Sequence, residues 1–147
     1  MKDIEDEICF DTTILGYAYD ESYENERIIC KELVTKVFQG EIKGVVSNQI
    51  LGELFNILTN KIEKPIEIEK AEIIINSFIE SGNWIKHNYD YNTIKSAIMS
   101  VKINNSPFWD TVIAETMKEN GILKIYTEDG KHFKKIPGIK AVNPLKA

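Results

Sequence analysis

The sequence predicts an α/β fold in which a mostly parallel sheet of four to five strands is covered by helices on both faces. Short apolar runs alternate along the chain with longer segments of helical period, an order that produces parallel strands connected by helices. The length of 147 residues and the hydrophobic content of 43% suit one globular domain, residues 1–147, with its own core. No repeat and no Pro/Gly-rich linker marks a boundary within the sequence.

The predicted strands are short apolar runs bounded by turn-forming residues. Their ranges are 8–10, 45–46, 84–86, 123–127 and, more weakly, 139–142. The first run ends at Asp11, and the second is preceded by a turn at Gly44. In sheets of this class, ligands bind beyond the carboxyl ends of the strands, at the point where the strand order reverses.

The predicted helices are segments whose apolar residues recur at helical spacing. A short helix follows Asp11, and the others cover 26–38, 47–62, 66–79, 91–101 and 106–120. Ser106 is interpreted as the N-cap of the last helix, with Pro107 at its first helical position and Gly121 as its stop.

The charge and the cysteines exclude several classes of protein. A net charge of −5 argues against nucleic-acid binding by bulk electrostatics, so any such contact must be local or metal-mediated. Cys9 and Cys30 lack the spacing of a zinc site and are predicted to be buried free thiols. No apolar run approaches the length of a membrane span, and the N-terminus is acidic, so we expect a cytoplasmic protein without membrane contact.

Two acidic residues occupy positions with an available structural explanation. Asp11 closes the first strand, and a helix cap is about as plausible for it as a functional role. Asp129 precedes Gly130, and Asp-Gly is a common turn signal, so for this residue alone the turn is favoured.

Two further acidic residues lie on or beside apolar helix faces. Glu53 borders the apolar stripe of its helix, where a surface position is equally plausible. Asp110 shares the inward face of its helix with Ile113, Ala114 and Met117, which a favourable charge near the helix N-terminus does not explain.

The four carboxylates together point to a divalent cation. If Asp11 and Asp129 end neighbouring parallel strands while Glu53 and Asp110 lie in the opening turns of helices, all four face one crevice. Carboxylates that are so close raise one another's pKa, and a hard cation such as Mg²⁺ relieves that repulsion through oxygen ligands.

The motifs around these residues resemble those of PIN domains, most closely those of VapC-type toxins. The matching motifs are Phe-Asp-Thr-Thr-Ile-Leu at 10–15, Ser47 with Glu53-Leu54, the segment 106–114, and Thr127-Glu128-Asp129 with Phe133. The resemblance spans nearly the whole chain in the family's order, and Phe-Trp-Asp-x-x-Ile-Ala at 108–114 is its most specific part.

The resemblance implies a three-layer α/β/α sandwich and a Mg²⁺- or Mn²⁺-dependent ribonuclease activity on RNA. It also implies frequent homodimers and, for the toxin branch, inhibition by a small cognate antitoxin. The family's metal-binding and catalytic acids correspond to Asp11, Glu53, Asp110 and Asp129, with Thr127 as a neighbouring hydroxyl.

Three points in the motifs are open. Thr13 stands where the family commonly has asparagine, which changes how the site is braced. Glu128 competes with Asp129 for the place facing the metal, although the motif register favours Asp129. Neither His87 nor His132 is required by the chemistry; the basic run 130–135 is the best local phosphate-steering patch or an ordinary solvated loop.

The expected chemistry is in-line hydrolysis of an RNA phosphodiester assisted by one or two cations. A phosphatase with Asp11 as nucleophile is a rival, but it needs a second aspartate two residues later, where Thr13 stands. A non-catalytic PIN-like interaction module and a stand-alone RNA-processing nuclease are further alternatives. A nucleotide-binding domain ranks last, because the sequence has no Gly-rich phosphate loop.

Overall fold

The sheet of the computed structural model, which describes residues 6–146, has five strands that all run parallel to their neighbours. The strands are β1 Glu7–Phe10, β2 Lys43–Ser47, β3 Trp84–His87, β4 Lys124–Tyr126 and β5 Lys140–Val142. They lie in the order β3-β2-β1-β4-β5. The predicted α/β class is therefore confirmed, and the weak fifth strand over 139–142 is present as β5.

Helices connect successive strands. They are α1 Thr12–Tyr17, α2 Glu24–Phe38, α3 Asn48–Asn56, α4 Ile68–Glu80, α5 Tyr91–Asn104, α6 Phe108–Glu119 and α7 Gly130–Phe133. The segment predicted as one helix over 47–62 is α3 followed by a π-helical turn, Ile57–Lys61. The one-turn helix α7 lies inside the basic run that had been interpreted as a steering patch or a loop.

The central strand β1 is fully enclosed, which fixes the position of the residues that follow it. Ile8, Cys9 and Phe10 are all buried. The Phe10 ring packs edge-on against Trp84 of β3 and Tyr126 of β4, at centroid distances of 5.0 and 5.3 Å. Such aromatic pairs add packing energy and a defined geometry to the apolar burial.

The chain reverses the strand order at β1. It builds β2 and β3 on one side of β1, and then crosses back to place β4 and β5 on the other side. The switch point is therefore the crevice beyond the carboxyl ends of β1 and β4. Both Cys9 and Cys30 are buried free thiols, as predicted.

The start of α6 differs from the prediction. Pro107, not Ser106, is the N-cap, and the first helical residue is Phe108. The Pro107 backbone is extended (φ −61°, ψ 135°), and its carbonyl oxygen accepts hydrogen bonds from the Thr111 backbone N–H and hydroxyl. The Ser106 hydroxyl lies 2.7 Å from the Thr111 hydroxyl and therefore does not cap the helix.

The apolar side chains of α3 and α4 differ widely in exposure. Phe55 and Ile74 are partly buried against the core, whereas Ile68 and Ile73 of α4 are 63% and 69% exposed. The expected homodimer stays a prediction. Within residues 6–146, no helix is both long and apolar enough to cross a membrane.

Gly44 lies where β2 approaches α2 and β3 too closely for any side chain. A Cβ at this position would lie 2.7 Å from atoms of both Trp84 and Val37. We expect Gly44→Ala to lower the free energy of unfolding by about 1–3 kcal/mol, because overpacking forces neighbouring groups to move. Urea denaturation measures this change.

The matched control is Gly52→Ala in α3, where a Cβ meets nothing within 4 Å. This substitution should stabilise the protein by about 0.5–1 kcal/mol through helix propensity alone. Equal effects of the two substitutions would contradict the packing described for β2.

Candidate active site

Asp11 leaves the end of β1 and points into the crevice at the switch point. Its backbone N–H donates to the Tyr126 carbonyl oxygen at 3.0 Å, which extends the pairing of β1 with β4 by one residue. The side chain caps α1 by accepting from the Thr12 N–H at 2.8 Å, and its other oxygen accepts from the Thr127 hydroxyl at 2.6 Å. The Asp11 side chain is therefore a helix cap and a buried acid at once, with only 4% of the residue exposed.

The Thr127 hydroxyl ties the ends of β1 and β4 together. While it donates to Asp11, it accepts from the Asp129 backbone N–H at 2.9 Å. Thr13 makes a parallel connection, because its hydroxyl accepts from the Glu128 N–H at 3.2 Å and lies 3.5 Å from the Asp11 carboxylate. The threonine at position 13 therefore braces the same turn with a short hydroxyl in place of an amide.

Glu128 and Asp129 have different surroundings. The Tyr17 hydroxyl donates to the Glu128 carboxylate, at 2.9 and 3.0 Å from its two oxygens, and Glu128 is exposed. Asp129 lies near enough to both Asp11 and Asp110 to raise the pKa of each. Of the two neighbouring acids, Asp129 is the one that shares the electrostatic environment of the crevice.

Glu53 connects α3 with α1 and, through a glutamine, with α6. One of its oxygens accepts from the Thr12 hydroxyl at 3.0 Å, and the other lies 3.3 Å from the donating Gln49 side-chain amide. The same Gln49 amide nitrogen donates to the Trp109 carbonyl oxygen at 3.1 Å. The Glu53 carboxylate is thus held by donors from two helices and faces the residue that adjoins Asp11.

Asp110 lies in the first turn of α6, and its partner was missed in the sequence. His132 Nδ1 of α7 is 2.8 Å from the Asp110 carboxylate. The sequence analysis placed His132 in the basic run 130–135 and did not connect it with Asp110. No sequence pattern links the two residues, because they lie 22 positions apart on different helices.

Burial and nearby acids raise the pKa of Asp11 to about 6. Burial is the largest cause, and Asp110 and Asp129 add to the rise, whereas the hydrogen bonds from Thr127 and Thr12 oppose it. Like charges in a poorly solvated site disfavour ionisation in this way. The Asp11 carboxylate is therefore held in a place where, without a cation, its charge is unfavourable.

The pKa of Asp110 is raised as well. Burial contributes most, and Asp129 and Glu53 add to it, while the contact with His132 lowers the pKa. The coupling of Asp110 to both Asp129 and Glu53 shows that all four acids predicted from the sequence lie in one electrostatic neighbourhood. Whether they bind metal or act in catalysis stays a prediction.

The donor set suits a hard cation. Its acidic members offer only oxygen ligands, which Mg²⁺ and Mn²⁺ prefer. The Gln49 side-chain oxygen is buried beside Glu53 and accepts no hydrogen bond; such an orphaned oxygen is often explained by an ion or its waters. As the side chains stand, no three His, Cys, Asp or Glu residues among 6–146 converge as a complete metal cluster.

The described fold is similar to those of several bacterial toxin structures. It superposes on VapC20 from Mycobacterium tuberculosis, a sarcin–ricin loop cleaving toxin, with a TM-score of 0.69 at 16% identity, over 90% of this chain and 97% of that one. For a toxin–antitoxin complex from Klebsiella pneumoniae the TM-score is 0.62 at 16% identity, over 93% and 97%. For FitAcB from Neisseria gonorrhoeae it is 0.63 at 15% identity, over 95% and 99%.

The chain has the PIN fold. The predicted similarity to VapC-type proteins is thereby confirmed for the architecture, including helix layers on a parallel sheet. No family model matches the sequence, and no curated protein sequence matches it. Identities of 15–16% are too low to transfer an activity, so the function of this PIN fold has to be argued from its own residues.

The raised pKa of Asp11 predicts how the stability of the metal-free protein depends on pH. The folded state favours protonated Asp11, so this stabilisation is complete below about pH 4 and is lost as the pH rises through about 6. At pH 8 the loss amounts to about 3 kcal/mol. Urea denaturation in EDTA measures the free energy of unfolding of Asp11→Asn and of the parent at each pH. We expect the difference, variant minus parent, to rise by about 3 kcal/mol from pH 4 to pH 8.

Glu72→Gln is the control, because it removes an equal charge from the exposed surface of α4. Its stability relative to the parent should change little over the same pH range. A difference between Asp11→Asn and the parent that stays constant with pH would contradict the electrostatics described for the crevice.

Proposed function

We propose that this chain is a divalent-metal-dependent ribonuclease that hydrolyses RNA phosphodiester bonds. The observation that carries the proposal is the buried Asp11 carboxylate at the switch point, whose pKa is raised to about 6 by burial and by Asp110 and Asp129. A site that concentrates unfavourable negative charge at a ligand-binding edge is suited to a cation rather than to an anionic cofactor.

Asp11, Glu53, Asp110 and Asp129 are the residues that would hold Mg²⁺ or Mn²⁺. When bound, the cation supplies Lewis-acid stabilisation of the charge that develops on the phosphoryl oxygens during hydrolysis. The chain itself orients these acids, because groups of the fold hold the carboxylates of Asp11, Glu53 and Asp110 by hydrogen bonds. Correct positioning of this kind is a large part of catalysis in phosphodiester hydrolysis.

The supporting residues have distinct positioning tasks. Thr127 holds Asp11 by donating from a fully buried hydroxyl at 2.6 Å. Thr12 holds Glu53, and His132 holds Asp110. Partners that fix ligand orientation in this manner typically affect metal affinity or activity 10–100-fold in other metal sites. We assign these three residues a positioning role, and the four acids the contact with cation and substrate.

We further propose that the protein is the toxin of a toxin–antitoxin pair, restrained by a small antitoxin protein. Support comes from the solved structures with the same fold, which include a toxin that cleaves the sarcin–ricin loop and toxin–antitoxin complexes. A stand-alone RNA-processing nuclease is the alternative within the same chemistry. Expression in bacterial cells separates the two, because a toxin arrests growth in the absence of its antitoxin.

A non-catalytic interaction module is the second candidate function. It is favoured by the absence, among the described side chains, of three converging metal ligands. The buried and mutually repelling acids weigh against it, because a site kept only for protein contacts gains nothing from unpaired buried charge. Binding of Mn²⁺, measured by calorimetry on the purified protein, distinguishes the module from the nuclease.

Substitution of Asp110 tests the nuclease proposal. Asp110→Asn should fold and be at least as stable as the parent without metal, because it removes a partly buried charge whose pKa is raised by burial, Asp129 and Glu53. We expect its Mn²⁺-dependent cleavage of single-stranded RNA to fall roughly 100-fold or more, since a ligand matters at least as much as its supporting residues. Its expression should no longer arrest growth.

The control is Glu115→Gln, which lies on the same helix and pairs with Lys118 at 3.4 Å. It should retain parental cleavage. Full activity of Asp110→Asn with Mn²⁺ would reject the role given to Asp110, and a parent that neither binds Mn²⁺ nor cleaves RNA would leave the interaction module in its place.

A further inference from the structure

A large cleft on the described surface lies between α2 and the segment that leads from the π-helical turn into α4. It has a volume of about 870 Å³. Its walls carry four cationic side chains and one aromatic ring, and we call it the basic cleft, defined by Tyr19, Arg27, Lys31, Lys64 and Lys70. Arg27 and Lys31 are one helical turn apart on α2, and Lys64 and Lys70 come from the opposite wall.

The basic cleft adjoins a second cleft of about 420 Å³, which we call the inner cleft. The lining of the inner cleft includes Thr12, Thr13 and Glu128, which are chain neighbours of Asp11 and Asp129. The two clefts are lined by different residues of the same two segments, 17–24 and 61–67. A linear polymer cleaved at the carboxylates can therefore follow these segments from the inner cleft to the basic cleft.

Among the described residues, the cations of the basic cleft have no carboxylate partner within ion-pair distance. Among residues 6–146, ion pairs form only between Lys36 and Glu32, Lys118 and Glu115, and His132 and Asp110. The basic cleft also contains Glu21, Glu24 and Glu67, yet none of these lies within ion-pair distance of a cationic side chain. The four cations thus remain available to an anionic ligand.

Two of the cations, Arg27 and Lys31, are neighbours on the α2 wall of the cleft. Burial and the neighbouring Arg27 lower the pKa of Lys31. Its ammonium group lies 4.2 Å from the centroid of the Tyr19 ring, a contact that steadies the charge without using its hydrogen-bond donors. Like charges kept close together on one wall are unfavourable in the free protein and favourable once a phosphate lies between them.

Aromatic rings accompany the cations along the path. Tyr19 lies in the basic cleft, and Tyr17 and Tyr23 line the inner cleft, where their rings meet edge-on at 5.6 Å. Proteins that bind single-stranded nucleic acid combine a cationic groove for the backbone with aromatic rings for the bases.

We infer that the basic cleft binds the phosphates of a single-stranded RNA segment next to the bond that is cleaved. The inference rests on the proposed nuclease function and specifies where its substrate lies. It also explains how a chain with a net charge of −5 holds RNA: contact is confined to a few cations that continue from the site, and the remaining acidic surface limits binding elsewhere.

The test measures RNA affinity without catalysis. A fluorescein-labelled single-stranded RNA of about 12 nucleotides, a typical site size, is titrated with protein in EDTA and followed by fluorescence anisotropy. The variants Arg27→Gln/Lys31→Gln and Lys64→Gln/Lys70→Gln neutralise one wall each. We expect each to weaken binding about tenfold or more, because charge-assisted hydrogen bonds are lost. The dependence of log affinity on log salt should become shallower by about 1.4.

The control Lys95→Gln/Lys102→Gln removes the same charge from exposed positions on α5. It should bind RNA as the parent does. With Mn²⁺ present, both cleft variants should raise the KM for cleavage of the same RNA about as much as they weaken binding.

Cleft variants that bind RNA like the control would overturn the inference, as would a parent that does not bind RNA in EDTA. If the cleft variants bind RNA like the parent but no longer bind an antitoxin, the cleft is a site for a protein ligand, and the inference is overturned as well. The proposed function fails separately: a parent that binds RNA through the cleft but never cleaves it keeps the cleft as an RNA-binding site and removes only the nuclease activity.

Discussion

The site depends on the confinement of several carboxylates at the one place where the strand order reverses. Asp11 cannot move away from its neighbours, because its backbone pairs with β4 and its side chain both caps α1 and accepts from Thr127. Asp110 and Asp129 oppose its ionisation. The fold therefore keeps mutually repelling carboxylates close together, which lowers the stability of the metal-free protein. A bound divalent cation is the simplest physical reason for this arrangement.

The fold was predictable because its signals are local. Buried parallel strands appear as short apolar runs, and helices appear as amphipathic stretches, so β1, β4 and most helix positions follow from the sequence. The predicted ends of the helices and strands were less accurate than their positions. Pro107 rather than Ser106 is the cap of α6, and its carbonyl oxygen accepts from the N–H and hydroxyl of Thr111. This is a shift of one residue, which the spacing of apolar residues does not resolve.

The candidate site was only partly predictable for the same reason. The positions of the four acids follow from motif spacing, but the groups that hold them come from distant segments. His132 of α7 contacts Asp110 of α6, although the two residues lie 22 positions apart. The best cationic patch was sought in the run 130–135, whereas the basic cleft combines α2 with residues near α4. Contacts between elements far apart in sequence leave no periodic pattern to detect.

Anomalous diffraction from crystals soaked in Mn²⁺ shows whether the crevice binds a divalent cation, because it locates the ion independently of any activity. We expect a peak within coordination distance, about 2.0–2.2 Å, of carboxylate oxygens from Asp11 and at least one of Asp110, Glu53 and Asp129. Saturating Mn²⁺ with no peak in the crevice, or with a peak only at unrelated surface acids, would contradict this expectation.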